Sequence, residues 1–96
     1  MPDIVSVIRA NAEQAKPFGA VIKLDTGDDG VICIDGTGEK VAVDTTNRDA
    51  NTAIILSRKT LNKLVSGKLN PAMAVMTGKI RVEGDMSLAL KLASFL

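Results

Sequence analysis

A domain of mixed helix and strand is what this sequence predicts, with five short strands and four helices, and three observations predict it. The spacing of apolar residues changes from about 3.6 to 2 at Phe18, glycine-rich turns cut the following stretch into strand-length pieces, and helical spacing returns after Ser57. One alternating segment, residues 79–83, interrupts that last helical region. The 96 residues have room for a single unit spanning 1–96, and 46% apolar with 24% charged residues is globular composition, not that of a disordered or repetitive polymer.

The elements follow in chain order. After Asp3 as N-cap, Ile4, Ile8, Ala12 and Ala15 recur at helical spacing, and Pro17 sets a stop just past Lys16. The β-branched start, Ile4-Val5-Ser6-Val7-Ile8, is also compatible with a strand. In residues 18–25, Phe18, Ala20, Ile22 and Leu24 share one face and Lys23 and Asp25 the other, which predicts a half-buried strand. The turn Thr26-Gly27-Asp28-Asp29-Gly30 leads to a strand at 31–34, and Gly36-Thr37-Gly38 leads to another at 41–43, an antiparallel series. A polar connection, 45–51, precedes a fourth strand at 53–56. Ser57 caps a helix carrying Leu61, Leu64 and Val65, which Gly67 ends in a left-handed C-cap. Asn70-Pro71 opens a helix of under two turns with Met73 and Met76, closed by Gly78. The fifth strand, 79–83, has one wet face, and Gly84-Asp85 caps a final helix running to the C-terminus.

Composition removes several function classes. With no histidine and one cysteine the sequence offers no zinc set, no internal disulfide and no histidine-dependent acid, base or triad. A formal charge of +1, no Trp, no Tyr and two Phe argue against a nucleic-acid groove with stacking aromatics. No apolar run approaches the roughly 18 residues of a membrane span, and Met1-Pro2-Asp3 lacks the basic start of a secretory signal, so a soluble, cytoplasmic protein is expected. Charge is divided along the chain: residues 1–57 hold five Lys/Arg against nine Asp/Glu, whereas 58–96 hold seven against two. The basic part would be drawn to anionic head groups or an acidic partner, or is simply a solvated face.

The loop at 25–30 resembles a calcium loop but places Gly27 at the third position and Gly36 at the twelfth, where ligands belong, so a hairpin turn is expected. Gly36-Thr37-Gly38-Glu39-Lys40 lacks the spacing of a phosphate-binding loop and joins two strands. Cys33, between Ile32 and Ile34, reads as a buried small hydrophobe. The final helix is different: its apolar positions, Met86, Leu88, Ala89, Leu90, Leu92, Ala93, Phe95 and Leu96, spread over about 220° of the helical wheel, where a surface helix needs little more than 100°. The excess must meet a second helix layer, a partner chain or an apolar ligand. Met73, Met76 and Met86 suit either a cavity for ligands of different shape or gap-filling in a core.

Gly67-Lys68-Leu69-Asn70-Pro71, followed by Gly78-Lys79-Ile80-Arg81-Val82-Glu83-Gly84-Asp85-Met86-Ser87-Leu88-Ala89-Leu90-Lys91-Leu92, resembles the signature of the sterol carrier protein 2 family. The upstream order of strands and helix is similar as well. The resemblance implies an α+β fold, a five-stranded mostly antiparallel sheet covered by helices with an apolar tunnel between, and non-enzymatic binding and transfer of a sterol, fatty acid or fatty acyl-CoA. By position it implies that Met73, Met76, Met86, Leu90 and Phe95 line the tunnel with Leu61, Leu64 and Val65 behind them. No catalytic residue, metal or cofactor comes with it. The expected partners are the lipid ligand and, transiently, a membrane surface or a lipid-metabolising enzyme, with the protein a monomer or weak dimer. The chain has Val31-Ile32-Cys33 where a tryptophan is common in the family, and it ends Ser94-Phe95-Leu96 and not S-K-L, so a free-standing cytosolic version is expected. Two rival expectations stand beside this one: an interaction module that packs its apolar C-terminal helix on a second chain, and an accessory factor that holds an isoprenoid or quinone intermediate for an enzyme.

Overall fold

Alternation in the sequence becomes a two-faced sheet. The computed structural model describes residues 4–92, so Asp3 as N-cap and the continuation of the last helix beyond Leu92 lie outside it. Helix α1 (Ile4–Glu13) is followed by β1 (Val21–Asp25), β2 (Val31–Asp35), β3 (Ala42–Asp44), β4 (Thr52–Leu56), α2 (Arg58–Val65), α3 (Pro71–Met76), β5 (Ile80–Gly84) and α4 (Met86–Leu92). The sheet order is β3-β2-β1-β4-β5, antiparallel throughout except for the β1–β4 pair. The fold is α+β with a mostly antiparallel five-stranded sheet, as the sequence predicts.

Register puts the apolar residues on one face. Ile22 stands between Ile34 and Thr52, Leu24 between Ile32 and Ile54, Val43 opposite Ile34, Val82 opposite Ile54 and Ile80 opposite Leu56. Helices cover that face, burying Ile8 and Ala12 of α1, Leu61 and Leu64 of α2, Ala74 of α3 and Leu88 of α4 with it. The opposite face carries Lys23, Cys33 and Asp44 in one cross-strand row, and the 45–51 connection runs over it. The thiol of Cys33 donates to Thr46 O at 3.0 Å, Lys23 Nζ to Asn47 Oδ1 at 3.2 Å and Val21 N to Asn51 Oδ1 at 2.9 Å. Arg48 pairs with Asp35 and Asp44. That crossing carries the chain past β2 and β1, which is why β4 enters parallel to β1.

Six elements differ at their ends from the sequence expectation: β2 runs one residue further, to Asp35, β4 begins one residue earlier, at Thr52, and the other four have a local cause. Helix α1 ends at Glu13 and not at Lys16, because Gln14 N and Ala15 N bond three residues back, to Asn11 O and Ala12 O. Pro17 disfavours helical geometry in the residue before it, so the last turn tightens and stops early. Strand β1 begins at Val21 and not Phe18: Gly19 takes φ +73, and both Phe18 N and Gly19 N donate to Gly36 O. The Phe18 ring consequently lies on Gly36, where an added Cβ would come within 2.6 Å of it. Strands β3 and β5 are each shifted one residue later than expected, following their pairing with β2 and β4.

The helix ends match their sequence signals. Ser57 Oγ accepts from Thr60 N, and Asn70 Oδ1 accepts from Ala72 N and Met73 N. At the end of α2, Gly67 N bonds Leu64 O and Lys68 N bonds Lys63 O; at the end of α3, Gly78 N bonds Val75 O and Lys79 N bonds Ala74 O. Both are Schellman closures, each on a left-handed glycine (φ +77 and +76).

Candidate functional site

The packed apolar layer between the sheet and the helices is the candidate site. Its walls are aliphatic: Ile22, Leu24, Ile32, Ile34, Ile54 and Leu56 from the sheet against Ile8, Leu61, Leu64 and Leu88 from the helices. Among the described residues the buried polar or charged ones are Thr26 and Thr52, and neither hydroxyl is left without a partner. Thr26 Oγ1 donates to Gly30 O in the β1–β2 turn. The Thr52 hydroxyl both accepts from Asp85 N and donates to Asp85 O, each at 3.0 Å, pinning the start of α4 to the start of β4. Among the described residues that interior is apolar apart from these hydroxyls. Cys33, buried as the sequence predicts, lies on the other face of the sheet, under the crossing segment.

The residues expected to line a tunnel divide into two sets. Leu61 and Leu64 are buried in the interior and Val65 packs at its margin. Met73, Met76 and Met86 are at the surface, 52%, 80% and 48% exposed. Phe95 and the side chain of Leu90 lie outside the described residues. Ile8, Ala12 and Leu88 complete the interior, although the sequence reading did not place them there. Their signal was present: Ile8 and Ala12 keep an i, i+4 spacing, and Leu88 holds the same helix stripe as Leu92.

Carboxylates serve local structure. Hydrogen bonds from the Ser87 hydroxyl and amide hold the Asp85 carboxyl below its ordinary range, so it caps α4 as a carboxylate. The hydroxyl and amide of Thr37 lower Asp35 in the same way, with a smaller contribution from Arg48. The loop at 25–30, read as a hairpin turn in the sequence, is one: residues Gly27–Asp29 form a short 3-10 turn joining β1 to β2. No group of three or more His, Cys, Asp or Glu side chains that could hold a metal occurs among the described residues. A separate cleft of about 570 Å³ lies between α1 and β3, lined by Arg9, Glu13, Glu39 and Lys40 along with Ala15 and residues 41–43. Charges of both signs line it, and Arg9 Nη2 spans it to Val43 O at 3.1 Å.

The chain matches the model of the SCP-2 sterol transfer family over residues 5–96. It belongs to that family. Membership makes it a domain of the lipid-binding or lipid-transfer type. Its fold is similar to that of sterol carrier protein 2 like 2 from Aedes aegypti (TM-score 0.74, 24% identity, 97% of this chain and 93% of that one). It is equally similar to sterol carrier protein 2 from Yarrowia lipolytica in its apo form (TM-score 0.74, 27% identity, 96% and 85%). Among curated proteins, hydroxysteroid dehydrogenase-like protein 2 of Xenopus tropicalis is 53% identical over 34 residues, 35% of this chain. This chain spans only 8% of that relative's length.

Proposed function

We propose that this chain, as a single non-catalytic domain, binds a sterol, fatty acid or fatty acyl-CoA between sheet and helices and carries it between membranes or to an enzyme in the cytosol. The observation that carries the reading is the interior itself, aliphatic on every described side and without a titratable group, in a chain whose family is one of lipid transfer. Leu61, Leu64 and Val65 would form the wall of the site, with Leu90 and Phe95 completing it. Met73, Met76 and Met86, already at the surface, would flank its mouth. Affinity comes from desolvation, about 0.8 kcal/mol per methylene removed from water. Twelve methylenes supply roughly 10 kcal/mol gross, which ordering of chain and side chains reduces to the micromolar range.

The test is native mass spectrometry of the purified protein with organic extraction, followed by thermal melting with added lipid. A bound lipid at a hundredfold excess over Kd stabilises by about 2.7 kcal/mol, a rise of roughly 10 to 20 °C for a domain of this size. A melting temperature indifferent to sterol, fatty acid and acyl-CoA alike would overturn the proposal. An empty dimer that persists on dilution would give the interior to an interaction module instead.

A further inference from the structure

Residues 50–82 contain Arg58, Lys59, Lys63, Lys68, Lys79 and Arg81 and not one Asp or Glu. Helix α3 lies within this stretch, and only Ala74 of its six residues is buried. Met73, Val75 and Met76 face solvent instead, at 52%, 37% and 80% exposure. The geometry is fixed: Asn70 closes one end of the helix through Ala72 N and Met73 N, and the Gly78 turn closes the other. Both lysines next to the helix are exposed. Lys79 is held at its C-terminal end by the bond from its amide to Ala74 O, and Lys68 stands two residues before the cap. Among the described residues neither has a carboxylate partner, and Glu83, the first acid beyond, is paired with Arg81.

We infer that α3 is a membrane-contacting element, which lays Met73, Val75 and Met76 into the head-group boundary of an anionic bilayer while Lys68 and Lys79 engage its lipid phosphates. Flexible apolar side chains flanked by hydrated lysines match that layer, with hydrocarbon below and charge above. A protein partner fits less well. The patch has no Trp, Tyr or Arg anchor of the kind that dominates protein interfaces, and the whole chain contains neither Trp nor Tyr. The inference rests on exposure and charge alone and does not depend on what the interior binds.

Flotation of the full chain with phosphatidylcholine vesicles, with and without about 30% phosphatidylglycerol, tests it at low and high salt. The chain should float with the anionic vesicles at low salt and be released at high salt. K68E/K79E should weaken partition on the order of 25-fold, about fivefold for each lysine. M73S/M76S should weaken it about tenfold or more. K40E, in the turn between β2 and β3, should leave it unchanged. Because all four α3-region side chains are exposed, both pairs should melt near the parent, and if M73S/M76S does not fold the lysine pair decides. Fatty-acid titration without vesicles, unchanged in K68E/K79E, separates docking from the interior site. Absence of flotation, equal flotation on neutral vesicles, or binding insensitive to both pairs would overturn the inference. Were α3 a seat for a protein, the chain would stay in the bottom fraction on every vesicle.

Discussion

Thr52→Val is the sharpest perturbation the fold offers, because it deletes one oxygen and keeps nearly the same shape. The wild-type hydroxyl is buried and makes two hydrogen bonds, from Asp85 N and to Asp85 O, both 3.0 Å. Each is worth about 1 kcal/mol net, and an amide left without a partner at this partly buried position costs about 1 to 3 kcal/mol more. The loss should therefore be about 3 to 5 kcal/mol, or roughly 12 to 40 °C in melting temperature. Thr52→Ser supplies the contrast: it keeps the hydroxyl and loses one buried methyl, about 1 kcal/mol. Chemical denaturation of the three proteins measures the order, and hydrogen exchange locates the damage, with α4 amides losing protection before those of β1. If the valine variant is as stable as the parent, or more stable than the serine variant, the Thr52 bridge does not hold α4.

Two further outcomes follow from local geometry. Gly84→Ala should destabilise by about 3 to 5 kcal/mol, since φ is +113 and the added Cβ would sit 2.5 Å from Asn51 O, whereas Gly67→Ala meets open space and should cost only about 1 kcal/mol of backbone strain; equal denaturation midpoints for the two would refute the clash. On pH, Asp35 and Asp85 are both held below the ordinary 3.8, so the stability they contribute is present above that value and is lost as pH falls through their lowered range. Denaturation midpoints should hold from neutral pH to about 5 and decline below about 4, with the decline flattened in D35N/D85N, and stability that rises on acidification would reverse the sign.

Element type was legible wherever a local signal stood alone. Ser57 and Asn70 cap, Gly67 and Gly78 close, and alternation from Ile22 to Leu24 and from Ile32 to Ile34 sets the buried face, because these depend on neighbours in sequence. What could not be read depended on partners distant in sequence. Nothing in residues 45–51 announces that they cross the far face of the sheet, since their fixed points are Cys33, Lys23 and Val21. Phe18 continues the alternation yet leaves the strand, because the Gly36 carbonyl captures two successive amides. The methionines are the clearest case. Helix α3 is apolar all round, so periodicity had no preferred side to offer, and it is Ala74, its small residue, that meets the core, leaving Met73 and Met76 at the surface.

The placement of directional bonds bears on how such a fold exchanges an apolar ligand. The caps and bridges of the helical layer sit at its ends: Ser57 and the Gly67 turn on α2, Asn70 and the Gly78 turn on α3, and Asp85 with Thr52 on α4. Between those ends the buried side chains that α2, α3 and α4 set against the sheet are aliphatic, and α1 adds one bond, from Arg9 Nη2 to Val43 O at the edge strand. Dispersion and desolvation are non-directional, so hydrocarbon from a ligand can replace hydrocarbon from Leu61, Leu64 or Leu88 without leaving a polar group stranded. A hydrogen-bonded interior would charge a desolvation cost at each such exchange. Restricting those bonds to the helix ends fixes where the helices sit and leaves what lies beneath them free to change, which is the division of labour a lipid-transfer domain needs.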